Sequence, residues 1–341
     1  MTKLTHISEL GEFGLIDHLT QDIVANLPST VKAGGDDAAV LQYQSEEIIV
    51  STDMYVEGVH FDLVYTPLMH LGYKCITGSI SDIYAMNGMA RQALVSLAVS
   101  SKFTIEALDE LYSGIKIACK NYDIDLVGGD TTSSKSGLVI NVTVIGAAEK
   151  KDICYRNGAK EGDIICVSGD LGGAYAGLQV LEREKRVFME APGAQPELSG
   201  FDYVLKRQLR PEARKDVVEM LKDLKIVPTA MIDISDGLAS EIMHICKQSG
   251  TGCMLEEEFI PIDENTSETA LGFNIDPTLC ALSGGEDYEL LFTLPEKDYE
   301  KIKNLPDFTK IGEITSKEEG CKLNTKSHNK YDLVAQGWKH F

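Results

Sequence analysis

The sequence predicts a two-domain protein of the α/β (α+β) class. Three observations carry that prediction. The chain has 341 residues, more than the ~100–200 of an ordinary single domain. Hydrophobic residues make up 43% of it, enough to build well-buried cores. Strand-like and helix-like patterns are mixed along its whole length, as in α/β and α+β proteins. The charged segment Glu149–Asp152 divides the pattern, so the domains are expected at residues 1–149 and 150–341.

In the first half, Ile16, Leu19, Ile23 and Leu27 recur at helical spacing up to Pro28, which predicts a short helix. Glu47–Ser51 reads as a buried strand leading into the tripeptide Ser-Thr-Asp, and Pro67–Asn87 as a long helix rich in small residues. Ala93–Val99 is strand-like, Thr104–Asn121 is an amphipathic helix, and Leu138–Ala147 is a strand. The second half opens on a turn and strand in GAKEGDIICVSG, then a Gly- and Ala-rich helix from Gly172 to about Arg183. Glu184–Gly200, with Pro192 and Pro196, reads as a loop or insertion. Helices are expected at Pro211–Leu224 and Gly237–Gln248, and strands at Cys253–Glu257, Glu289–Thr293 and Thr309–Glu313.

Charge narrows the function. With 32 Lys and Arg against 53 Asp and Glu, the net charge is −21. A generic nucleic-acid binder needs a basic surface, and an anionic membrane would repel this chain. No run reaches the ~18 apolar residues of a membrane span, and the N-terminal residues carry no apolar core of a secretory signal. The eight cysteines form no C-x-x-C pair and sit mostly in apolar surroundings. They are expected to be reduced core thiols of a cytoplasmic protein.

The informative feature is a recurring acidic segment, expected in loops where strands end or helices begin. Carboxylates stand beside Gly, Ser or Thr in GGDDAAV (Gly34–Val40), STD (Ser51–Asp53), SD (Ser81–Asp82), GGDTT (Gly128–Thr132), DISDG (Asp233–Gly237) and GGEDYE (Gly284–Glu289). Any one of these alone is ordinary helix-cap or turn chemistry. Six together suggest more, because Mg²⁺ takes carboxylate oxygens and shares them with phosphate and water, while glycine amides approach phosphates closely. Bound divalent cations would reverse the local sign of an acidic chain and let it hold a nucleotide. Metal-assisted phosphoryl transfer is therefore expected. No Gly-Lys dipeptide, G-x-G-x-x-G, H-R-D, D-F-G, G-x-S-x-G or H-E-x-x-H occurs, which excludes P-loop, Rossmann, protein-kinase, serine-hydrolase and zincin signatures.

The motifs stand in a recognisable order: GEFGLI (Gly11–Ile16), GDDAAV (Gly35–Val40), STDMYVEGVHF (Ser51–Phe61), SDIYAMNG (Ser81–Gly88), VGGDTT (Val127–Thr132), RNGAKEGD (Arg156–Asp163), LRPEAR (Leu209–Arg214), IDISDGL (Ile232–Leu238) and LSGGEDYEL (Leu282–Leu290). In that order and spacing the chain resembles the thiamine-monophosphate kinase family from about Gly11 to Trp338. The resemblance implies an aminoimidazole ribonucleotide synthetase-like fold. In it, the N-terminal α/β domain binds ATP and Mg²⁺, and its sheet forms a barrel across a homodimer. The C-terminal α/β sandwich completes the nucleotide and substrate sites, with ATP in a cleft between domains. It implies transfer of the γ-phosphoryl of ATP to thiamine monophosphate, giving thiamine diphosphate, with several Mg²⁺ ions.

Carried over by position, Asp37, Ser51, Thr52, Asp53, Asp82, Asp130, Asp233 and Asp236 match magnesium ligands. Asp53, Asp82 and Asp130 are those expected at the reacting phosphates. Gly129, Asp130, Arg156, Ser235 and Tyr112 match ATP contacts, and His60, Glu286 and Trp338 match substrate contacts. Tyr112 also fits the apolar stripe of its helix, with Ile105, Leu108, Leu111 and Ile115. The run Gly172–Leu178 lacks an acidic residue that many relatives carry there. Two other classes stay open: an ATP-dependent synthetase of the same superfamily that activates an amide or carbonyl oxygen, and a non-enzymatic metal binder. GEFGLI and SGGEDYEL favour the kinase over the first. Arg156, Ser235 and the Gly-Gly amides suit phosphate and so disfavour the second.

Overall fold

The computed structural model describes residues 18–19, 21–32, 40–43, 45–191, 193 and 195–335. Two compact units divide the chain. One runs up to Ile83 and resumes over Gly88–Lys151; the other takes Tyr84–Asn87 and everything from Asp152 onward.

In the first unit a small ribbon pairs β1 (Thr30–Lys32) with β2 (Val40–Leu41). The main sheet contains β3 (Glu47–Val56), β4 (Met89–Ser100), β5 (Asp125–Ser134) and β6 (Val139–Ala148) in the order β3-β6-β4-β5. Only the β4–β5 pair is parallel. Its connection is the helix Ile105–Tyr122, started by Thr104, whose hydroxyl accepts from the Ala107 amide, an ordinary N-cap. The helix Leu68–Ala85 lies on the face that carries Tyr55, whose hydroxyl donates to the Cys75 carbonyl at 3.2 Å. The two helices cross where neither has a side chain. A Cβ on Gly72 would stand 2.0 Å from the Leu111 oxygen, and one on Gly114 1.8 Å from the Met69 oxygen.

Strand alternation then sorts the sheet. Ile49, Ser51, Asp53 and Tyr55 point to the helix-covered face, with Val142 and Val95 across the ladder. The other face carries Ile48, Val50, Thr52 and Met54 of β3 beside Asn141, Thr143 and Ile145 of β6. Ile48, Val50 and Met54 are 45%, 61% and 57% exposed there.

The second unit is a seven-stranded, mostly antiparallel sheet. Its strands are β7 (Ile164–Ser168), β8 (Ala230–Asp233), β9 (Gly252–Glu256), β10 (Leu290–Leu294), β11 (Phe308–Thr315), β12 (Cys321–Asn324) and β13 (Lys330–Asp332). The order is β13-β12-β9-β11-β7-β10-β8, with β9 and β12 parallel. Every residue of β7, β8 and β10 is buried, so both faces are covered. One core joins Ile165, Val167, Ile232, Leu291 and Ile311 to Leu238, Ile242 and Ile245 of the helix Leu238–Ser249. Among the described residues, no helix is long and apolar enough to cross a membrane.

Several expectations are corrected. Residues 21–27 form no helix. The Asn26 and Leu27 amides donate instead to the Asp125 carboxylate at 2.7 and 3.0 Å, and the Thr30 hydroxyl joins them at 2.7 Å. A buried acid thus takes amides that a helix would need for its own ladder. The supposed loop from Glu184 begins as helix, because Gly173–Glu190 is one continuous element. Pro211 precedes its helix, Lys215–Asp223, and a separate helix, Asp202–Leu209, comes before it. The short helices Glu264–Gly272, Pro277–Ser283 and Glu296–Ile302 fall outside the sequence-based expectations, as do β5, β8, β12 and β13.

Asp125 is 2% exposed, so its removal strands buried donors. Asp125→Ala is expected to destabilise the chain by about 2–4 kcal/mol, read as a lower urea midpoint with little change in slope. Asp125→Asn, which keeps one acceptor, should recover part of the loss; equal midpoints for Asp125→Ala and the parent would refute the account.

Candidate active site

Three of the six acidic segments are not loops. Ser-Thr-Asp lies in the middle of β3, Ser81–Asp82 in the last turn of the helix Leu68–Ala85, and Gly-Gly-Asp-Thr-Thr inside β5. The placement has chemical consequences, since a strand alternates its side chains. Ser51 and Asp53 face the helix, and the Ser51 hydroxyl donates to the Asp82 carboxylate. Thr52 points the other way, with its hydroxyl 3.0 Å from that of Thr143. The Thr52 hydroxyl therefore does not join Ser51 and Asp53 in one ligand set.

Asp53 and Asp82 form the electrostatic centre of this unit. Burial first, then the Asp82 charge, lift the Asp53 pKa to about 6, with the Ser79 hydroxyl pulling the other way. Asp53 Oδ2 is buried with no hydrogen-bond partner among the described residues. His60 follows β3, and its Nδ1 accepts from the Val56 amide at 3.0 Å. In the neutral ring the proton therefore sits on Nε2.

Asp130 is not brought to that pair. It stands on edge strand β5 in register with Ser96, on the face opposite Asp53. Three strand spacings, about 14 Å, separate β5 from β3. Asp130 is exposed, and its Oδ1 accepts from the Thr131 amide at 2.9 Å. Gly129 has a packing reason of its own, because a Cβ there would lie 1.8 Å from the Val95 oxygen. Tyr112 is only 6% exposed, and burial pushes its phenol up to about 12. Asp37 and Trp338, like GEFGLI, lie outside the described residues.

In the second unit two genuine loops are stitched together. DISDG runs from the end of β8 into the helix Leu238–Ser249, and GGEDYE precedes β10. The Glu286 amide donates to the Ser235 carbonyl at 2.8 Å, Tyr288 to Ile234 at 2.9 Å, and Ile234 to Glu289 at 2.8 Å. Gly285, Glu286 and Tyr288 all take positive φ, at 71°, 59° and 53°. A Cβ on Gly285 would meet the Ser235 oxygen at 2.3 Å, so only glycine fits. The stitching gathers Asp233, Ser235, Asp236 and Glu286 along adjoining segments. Ser235 and Asp236 are exposed, and Asp233 is buried. Arg156 is exposed on a turn whose Tyr155 carbonyl accepts from the Met231 amide of β8.

Sequence reasoning missed a fourth acid here. Glu241 is 2% exposed and its Oε1 accepts from the Asp236 amide at 3.0 Å. Burial first, then the nearby charges of Asp236 and Asp233, push its pKa up to about 8 against the pull of the Asp236 amide. Its spacing from Ser235 and Asp236, a carboxylate reaching back to the start of its own helix, was the available signal.

The support beneath these loops is a buried ion network, also missed. Arg207 pairs with Glu289 at 2.9 Å and Asp287 at 3.5 Å, and Arg214 pairs with Glu289 as well. The Ser168 hydroxyl donates to Glu289 at 2.6 Å. Asp287 accepts from the Gly172 and Ala174 amides at 2.7 and 3.3 Å. The helix Gly173–Glu190 thus receives its N-terminal anion from another segment, although the run Gly172–Leu178 contains no acid. Burial raises the Asp287 pKa to about 6, against the opposing pull of Arg207 and the two amides.

Residues 35–148 match the family described as AIR synthase related protein, N-terminal domain. Thiamine-monophosphate kinase of Aquifex aeolicus (strain VF5) is 34% identical over 336 residues, 98% of this chain and 99% of that one. That of Bacillus subtilis (strain 168) is 35% identical over 338 residues, 97% of this chain and 100% of that one. Among solved structures, AaThiL complexed with AMPPCP and TMP aligns with a TM-score of 0.74 and 31% identity, covering 100% of this chain and 99% of that one. With one-third identity sustained from end to end and the acidic motifs on the elements just described, this chain belongs to the thiamine-monophosphate kinase family.

Proposed function

We propose that the chain transfers the γ-phosphoryl of ATP to thiamine monophosphate, forming thiamine diphosphate and ADP with Mg²⁺. The family membership supports this, as does the relative solved with AMPPCP, an ATP analogue, and TMP. The single structural observation that carries it is the Asp53–Asp82 pair, with the unpartnered, buried Asp53 Oδ2. A cation offers what that oxygen lacks.

The donors fit Mg²⁺. They are hard oxygens, and two carboxylates fall short of a closed cage, as suits an ion that keeps water and phosphate ligands. Asp53, Asp82 and Ser51 would hold it in the first unit; Asp233 and Asp236 are proposed as further ligands in the second. Asp37 is proposed as a further ligand. Bound Mg²⁺ supplies charge stabilisation as negative charge shifts to the leaving group. The chain itself binds and orients. Gly129, Asp130, Arg156 and Ser235 are proposed nucleotide contacts. Tyr112, with 6% exposure, has little surface to offer and is left to packing. His60, Glu286 and Trp338 are proposed for the acceptor, where an indole face suits a thiazolium cation. A general base is unnecessary, because a phosphate monoester with a second pKa of ~6 is already largely ionised at neutral pH.

The open sheet face supports a homodimer. Ile48, Val50 and Met54 are too exposed for a solvated face, and a second copy of the sheet would cover them. Eight free cysteines suit a reducing, cytoplasmic compartment.

The test of function is incubation of the purified chain with Mg²⁺, ATP and thiamine monophosphate. Thiamine diphosphate is expected, and ADP with inorganic phosphate alone would overturn the reading. Asp53→Asn should lower turnover by ~10²–10³-fold, about 2.7–4 kcal/mol; near-normal turnover at saturating Mg²⁺ would remove Asp53 from the site. Below about pH 6 Asp53 holds a proton, and above it the carboxylate is free for a cation. The Mg²⁺ concentration for half-maximal activity should therefore rise as pH falls through that value, and a flat profile would contradict the assignment. Sedimentation at micromolar concentration should give the mass of two chains, and Val50→Glu should give one; a parent that sediments as one chain would rule out the dimer.

A further inference from the structure

Three cysteines, remote in sequence, meet in the second unit. Cys246 lies in the helix Leu238–Ser249, near its end; Cys253 is the second residue of β9; Cys321 opens β12. Gly250, with φ at 70°, closes the helix and turns the chain back, so that Cys246 and Cys253 approach. Parallel pairing of β9 with β12 sets Cys253 directly beside Cys321. The three Sγ atoms lie within 4.8 Å of one another. Among the described residues, no other group of three His, Cys, Asp or Glu side chains converges in this way.

The remaining cysteines, Cys75, Cys119, Cys154, Cys166 and Cys280, are also free and buried, and none belongs to such a group. Burial of a small apolar thiol therefore does not by itself explain the trio. Zn–S bonds of ~2.3 Å in a tetrahedron put sulfurs about 3.8 Å apart, so a small closure of the group would seat an ion. The donor set is all sulfur, unlike the oxygen donors proposed above for Mg²⁺. Thiolates select soft ions over Mg²⁺. Cys246 and Cys253 are buried, whereas Cys321 is partly exposed, which leaves a way in and room for a fourth ligand.

We propose that Cys246, Cys253 and Cys321 form a binding site for one soft d¹⁰ cation, Zn²⁺ or Cu⁺, separate from the phosphoryl-transfer site. As each S–M bond forms, the thiol gives its proton to solvent, and no group changes oxidation state. The bound ion would tie β12 to the end of the helix that follows the loop of Ser235 and Asp236.

The test uses the full chain, reduced with a phosphine and kept in excess Mg²⁺ so that the oxygen sites are occupied. Titration with Cd²⁺, with Zn²⁺ and, under anaerobic conditions, with Cu⁺ should saturate at one equivalent, Cd²⁺ and Cu⁺ with sulfur-to-metal charge-transfer absorption and each with release of protons. Competition between Zn²⁺ and Cu⁺ then identifies the ion that is held. Cys321→Ser should weaken binding beyond the ~10–100-fold that loss of an outer-shell partner costs, while Cys119→Ala should bind as the parent does. X-ray absorption of the unmodified Cd²⁺ complex should show a shell of three sulfurs, which keeps the proposal testable if Cys321→Ser fails to fold. Oxygen-only coordination, equal binding by Cys321→Ser, or a reduced chain that takes up no ion would each overturn it. None of these outcomes bears on thiamine monophosphate turnover, which is assayed separately.

Discussion

The geometry of the second unit depends on holding two non-glycine residues, Glu286 and Tyr288, in the left-handed region. Such a backbone costs ~1–3 kcal/mol per residue, so something must hold it. Each amide is satisfied by the facing loop, at Ser235 and Ile234. The intervening and following carboxylates, Asp287 and Glu289, are gripped by Arg207, Arg214 and Ser168. The acids of GGEDYE therefore divide their labour. Asp287 and Glu289 face inward and lock the loop, while the Glu286 carboxylate accepts from Gln208 Nε2 at 3.0 Å.

The long elements were legible because their periodicities are local. Ile105, Leu108, Leu111 and Ile115 mark a helix without help from elsewhere, and Thr104 marks its start. The acidic motifs were legible as chemistry but misleading as structure. Glycine, serine and aspartate are turn formers by preference, so Ser51–Asp53 and Gly128–Thr132 read as loops; neighbouring strands override that preference in both. The error matters for function, since a loop could aim Thr52 and Asp53 at one ion and a strand cannot. Contacts across long separations were not legible. Asp125 captures amides 98 and 99 positions away, and Arg207 reaches Glu289 across 82. No local pattern encodes either pairing.

Two kinds of donor are segregated along this chain. Asp53 stands on β3 and Asp233 at the end of β8, whereas thiols gather where β9 meets β12. An acidic chain at −21 would gather divalent ions indiscriminately if charge alone decided. Sulfur is a poor host for Mg²⁺ and oxygen a modest one for Cu⁺, so the two sets of ligands need not compete for the same ion.

The crossing at Gly72 and Gly114 bears on how the molecule tolerates change. With backbone pressed on backbone, no side chain at the contact can adjust its rotamer to absorb a shift. The helix that carries Asp82 is therefore set at its depth by the helix Ile105–Tyr122, and a single added methyl would have to be accommodated by moving one whole helix off the other. Ten residues, close to three turns, separate Gly72 from Asp82; tilting the rod at one end swings the carboxylate at the other. Two residues with no side chain thereby help to fix where the Asp82 carboxylate stands, although both lie well away from it along the chain.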